Sequence, residues 1–126
     1  MKSLADFFST YGDLHDAVIK SISLNYKEGT NYPLITVRLD CMSVAQDYEW
    51  MHLEIYFHLC QEYLLIGKHN TDSQVIFNVV ADYWEDKIAF SFNPNSMESM
   101  PIDEHRQSDF YVVCKTIDFA EKGVIQ

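Results

Sequence analysis

A chain of 126 residues, 48% of them apolar and 14% aromatic, is long enough for one core and short for two, so residues 1–126 are read as a single domain that folds without metal or disulfide. Nine basic residues against nineteen acidic ones give a net charge of −10, which repels phosphate backbones and anionic lipid headgroups over a Debye length of ~8 Å and argues against nucleic acid and membrane as partners. Asp6 follows Lys2 too closely for a signal-peptide core, and no apolar run reaches the ~18 residues of a membrane span, so the expected location is the cytoplasm.

Leu4, Phe7, Phe8 and Tyr11 recur at helical spacing, Ser3 and Asp6 stand three apart as in a capping box, and Gly12 supplies a stop; one short N-terminal helix is predicted. Over residues 17–26 the apolar set Val18, Ile22, Leu24 and Tyr26 alternates with Ser21, Ser23 and Asn25, the period of a half-buried strand, with Lys20 as an exception assigned to an edge. Residues 27–31 are a turn, and beyond Pro33 the positions Ile35, Val37, Leu39 and Cys41 point inward, so the two strands should pair as a hairpin. Met51, Leu53, Ile55, Phe57 and Leu59 then alternate with His52, Glu54, Tyr56 and His58. A helix is the competing reading, since Trp50, Leu53, Phe57, Cys60 and Leu64 would share one of its faces, but it would leave Met51, Ile55 and Leu59 wet, so a strand with a bulge leading into 63–66 is preferred.

After the polar link 67–73, residues 75–81 are rich in branched side chains, and 87–92 alternate Ile88, Phe90 and Phe92 against Ala89 and Ser91, with 83–86 as the connecting turn. Residues 93–108 carry two prolines and no period, which predicts a long loop with room for one helical turn. The last strand, 110–119, is apolar on both faces, as expected in the middle of a sheet. The fold class is therefore α+β and strand-rich: one short N-terminal helix and about six mostly antiparallel strands forming a curved sheet or half-barrel.

Little in the chain reads as chemistry. Cys41, Cys60 and Cys114 lack metal or redox spacing and read as buried small hydrophobes. His15-Asp16 could orient an imidazole for proton transfer, but a histidine beside a carboxylate in a connection more often fixes a turn. On one strand face His52 and Glu54 are close enough to share a divalent ion, whereas His58 lies ~20 Å along the strand from His52 and cannot join them. His52-x-Glu54 matches half of the zinc deaminase signature, and the P-C-x-x-C half is missing. No G-x-S-x-G or glycine-rich phosphate loop is present, His69 and His105 fall in loops where an exposed histidine is ordinary, and no cofactor is implied. The notable feature is a pair of acidic-aromatic segments, Asp47-Tyr48-Glu49-Trp50 and Asp82-Tyr83-Trp84-Glu85-Asp86, which combine rigid contact area with charges that steer a basic partner. The plainer reading places both tryptophans in the core and the acids at solvated strand ends.

The segment Leu14-His15-Asp16-Ala17-Val18-Ile19-Lys20-Ser21-Ile22 resembles the opening of small bacterial proteins in which an H-D-[AS]-x-[IV] motif follows a short helix, some of them immunity proteins of polymorphic toxins. That resemblance implies a cytoplasmic protein that binds and neutralises a basic toxin, commonly a nuclease, and makes His15 and Asp16 structural markers. The expected function is a non-catalytic protein-binding module; the alternatives are a small metal-dependent enzyme using His52 and Glu54, and a homodimer formed through an exposed strand edge.

Overall fold

The computed structural model describes residues 4–12, 14–26, 29–43, 47, 49–65, 74–75, 78–92, 98–108 and 110–125. They form helix α1 (Leu4–Tyr11), strands β1 (Val18–Tyr26), β2 (Pro33–Ser43), β3 (Glu49–Leu65), β4 (Gln74–Val75), β5 (Val79–Trp84) and β6 (Lys87–Phe92), helix α2 (Ile102–His105) and strand β7 (Phe110–Val124). The strands make one sheet in the order β4-β1-β2-β3-β7-β6-β5, antiparallel at every seam. The sheet is open, because β4 and β5 at its ends are not paired with each other.

Eight residues are too few for a helix to persist alone in water, so α1 is held by what it buries: Leu4, Phe7 and Tyr11. The Phe7 ring lies 5.9 Å from Phe90 and 5.3 Å from Phe119, and Gly12, at φ +61°, ends the helix with its N–H on the Phe8 carbonyl at 2.9 Å. Beneath α1 run the inward rows Ile35, Val37, Leu39 and Cys41 on β2 and Met51, Leu53, Ile55 and Phe57 on β3, all buried as the alternation predicts. Phe57 reaches across β7 to Phe90 with ring centroids 5.2 Å apart, and the Phe92 and Phe110 rings meet tilted, with centroids 4.4 Å apart. Each such ring taken out of water contributes about 1.5–3 kcal/mol before entropy is charged against it.

The departures from the expected pattern have local causes. In β1 the register slips between Ile19 and Ser21, so Lys20 is left over at a bulge, and the buried residue is Ile19. In β3 the strand reading holds over the helical one, but Leu59 does not continue the inward row: it takes φ +55° and is 44% exposed, while Cys60 is buried instead. A second shift follows between Cys60 and Glu62, where a bulge was expected. The branched run 75–81 is not one strand. Val75 pairs with Val18 at one rim, and Val79 starts the strand at the other. Asp82, Tyr83 and Trp84 belong to β5, which leaves Glu85 and Asp86 alone as the turn into β6. Ala89 and Ser91 are also buried, because Ile102 of α2 and Trp84 pack with Ala89, Tyr111 and Val113 on the second face of the sheet. β7 lies between β3 and β6, as its two apolar faces implied, and runs on to Val124. Among the described residues no helix is long and apolar enough to cross a membrane.

Candidate functional site

The two acidic-aromatic segments sit far apart. Glu49 and Trp50 open β3 opposite Ser43 and Met42, and the Trp50 carbonyl takes the Ile125 amide at 2.9 Å, next to the point where Met51 pairs with Val124. The Glu85–Asp86 turn lies at the level of Lys115, whose ammonium bonds Asp86. Nine residues of β7 separate Lys115 from Val124, roughly 30 Å at strand rise, so the segments do not form one compact patch. Trp50 is 38% exposed beside the exposed Asp47 and Glu49, and Asp47 stands at φ +54°. Tyr48, like Ser3 and His69, lies outside the described residues.

In the second segment only part faces outward. Tyr83 is 68% exposed, and Glu85 and Asp86 are exposed. Trp84 is half-buried, with the Lys87 ammonium 5.0 Å and the Arg106 guanidinium 5.3 Å from its ring. Asp82 is committed to the fold: its carboxylate accepts the Ser99 hydroxyl, the Met100 amide at 2.9 Å and His105 Nε2 at 2.7 Å. Partial burial works against its charge, but these donors outweigh that cost and hold the carboxyl below the usual aspartate range.

His105 is the residue whose surroundings the sequence misplaced. Expected as an exposed loop histidine, it is 0% exposed on α2, with Nε2 on Asp82 and Nδ1 2.7 Å from the Ser91 hydroxyl. When the ring is neutral, Nε2–H donates to Asp82 and Nδ1 accepts from Ser91. The chain of groups has the composition of a hydrolytic triad, but Ser91 is also fully buried and cannot meet a substrate carbonyl. Its work is mechanical: it ties α2 and the 98–101 segment to β5 and β6. Nothing local in the sequence signals it, since 14 and 23 residues separate His105 from its two partners.

His52 and Glu54 share the outward face of β3, as alternation requires, with Lys20, Arg38, Asp40 and Lys122 around an open depression of about 590 Å³. One ring nitrogen of His52 and both carboxylate oxygens of Glu54 are engaged with protein partners. His52 Nδ1 lies 2.7 Å from Asp40, and Glu54 receives Arg38 at 3.3 Å, Lys122 at 3.4 Å and the Tyr56 hydroxyl at 3.2 Å. Some burial raises the Glu54 pKa, but these three partners prevail and lower it. The three nearby cations oppose entry of a divalent ion, and among the described residues no group of histidine, cysteine and carboxylate side chains is arranged to hold one. His15 and Asp16 are both exposed, 3.6 Å apart, in a connection where Leu14 and Asp16 take φ of +59° and +68°. The Ala17 amide closes that turn onto the Leu14 carbonyl at 3.0 Å, so the pair marks the reversal from α1 into β1.

A further hollow, of about 330 Å³, opens at the other end of this sheet face. Tyr32, Leu34 and Leu59 supply its apolar walls, and His58, Thr116 and Asp118 its polar lining. It forms where β3 and β7 break step together: the buried positions pass from Phe57 to Cys60 on one strand and from Cys114 to Ile117 on its partner. Strict alternation hides such a place, because it assigns Leu59 to the core. No family model matches the chain, and neither a curated protein nor a solved structure matches it.

Proposed function

We propose that this chain is a non-catalytic protein-binding module that captures a basic partner, in the manner of an immunity protein neutralising a basic toxin. One observation carries the reading: every described lysine and arginine already lies within 4 Å of a carboxylate of its own chain. Lys20 meets Asp40; Arg38 and Lys122 meet Glu54; Lys87 and Lys115 meet Asp86; Arg106 meets Glu62. That leaves Asp47, Glu49, Glu104, Asp118 and Glu121 with no lysine or arginine within 4 Å among the described residues. Asp47 and Glu49 have no cationic partner among the described residues, and they flank the exposed indole of Trp50, a pairing of steering charge with rigid contact area suited to a cationic surface. Tyr83, Glu85 and Asp86 are the outward members of the second segment.

The test is surface plasmon resonance of the immobilised protein against a panel of purified basic bacterial toxins. At least one saturable complex is expected, with an association rate that falls as salt rises, and the double variant Asp47→Lys/Glu49→Lys should weaken it tenfold or more. Capture of no panel member, or capture indifferent to charge reversal in both segments, would sink the reading.

A further inference from the structure

We infer that the hollow at the β3–β7 step is an anchor pocket for an arginine side chain of the partner, an inference that rests on the binding-module reading and gives it a point of contact. Holding a leucine at φ +55° costs about 1–2 kcal/mol of backbone strain, and here that strain turns an apolar side chain toward solvent between the buried Phe57 and Cys60. The result is a wall of Leu59, Leu34 and the half-exposed Tyr32 ring, facing the carboxylate of Asp118. Asp118 accepts the Phe119 amide through Oδ1 at 2.9 Å, and no lysine or arginine among the described residues lies within 4 Å of it. Charge complementarity therefore selects a cation, and the apolar walls select one on a long aliphatic stem. Arginine fits better than lysine because its planar head pairs with a carboxylate and stacks on a tyrosine ring together. An anionic ligand would find no lysine or arginine among the lining residues and would meet the Asp118 carboxylate.

The experiment is a ¹H–¹⁵N NMR titration of the intact protein with N-acetyl-arginine amide, with N-acetyl-citrulline amide as the neutral isostere. Saturable shifts confined to the amides of His58, Leu59, Thr116 and their neighbours are expected with the arginine compound and not with citrulline. Asp118→Asn, which keeps an acceptor for the Phe119 amide, should weaken binding at least tenfold; Glu104→Gln, on α2, should leave it unchanged. Shifts spread over all exposed carboxylates, equal shifts with citrulline, or none at all would overturn the assignment. The two proposals fail separately. A basic toxin that binds the protein and loses affinity on reversal at Asp47 and Glu49, but not with Asp118→Asn, removes the pocket and leaves the module; arginine amide bound at the pocket with no toxin captured does the opposite.

Discussion

Cys41, Cys60 and Cys114 show how burial decides the chemistry of a side chain. Burial is the main cause that raises all three thiols, Cys41 and Cys60 to about 12 and Cys114 further still, with Glu121 adding to the rise at Cys41. The thiolate is the reactive form, so the native protein at pH 8 should resist Ellman's reagent, with all three groups reacting once guanidinium unfolds it. Prompt reaction of any one before unfolding would show that its cover is incomplete. Asp82 gives the opposite sign. Its folded pKa is lowered, so the stability it contributes is fully present above the unfolded aspartate value of ~4 and is lost as pH falls through the folded one. Asp82→Asn should therefore cost about 1–3 kcal/mol at pH 7 in chemical denaturation, with a deficit that shrinks as the wild type is acidified. A deficit constant from pH 7 to pH 3 would contradict the role given to the carboxylate. That the cysteines are buried was legible from composition and spacing. That Asp82 and His105 meet was not, because hydrogen bonds across 23 residues leave no periodic trace.

Elements were legible where the alternation is unbroken and failed where a strand breaks step. α1, β2, the first half of β3, β6 and the central place of β7 follow from spacing alone. The bulge at Lys20, the outward turn of Leu59 and the division of 75–81 between opposite rims do not, because each is set by a neighbouring strand that local sequence does not name. The β5–β6 hairpin isolates one such element. Glu85 holds φ +56° in a two-residue turn and is exposed, and its cation contact among the described residues is Lys87 at 3.5 Å. An exposed pair of that length contributes little, whereas relief of a left-handed non-glycine residue is worth about 1 kcal/mol. Glu85→Gly should accordingly raise the urea midpoint without changing the m-value; a fall would mean that the carboxylate matters more to the turn than its backbone strain.

At the scale of the whole molecule, the acidic balance and strand-rich class were plain from composition and pattern, while the order of strands was not. The position of the anchor pocket and the 30 Å between the acidic segments both depend on that order. Six inter-strand steps separate β4 from β5 in that order, so Val75 and Val79 belong to opposite rims of the sheet. The rim at β4 is fastened weakly, since β4 touches β1 only at Val18 and Ile19. Regions with so few contacts open first. Amide exchange at Val75 and Val18 should therefore outpace that of Leu53 and Phe119 by orders of magnitude, and the domain should breathe there like a purse at its clasp, admitting water to the phenylalanine interior while the long β3–β7 seam stays shut.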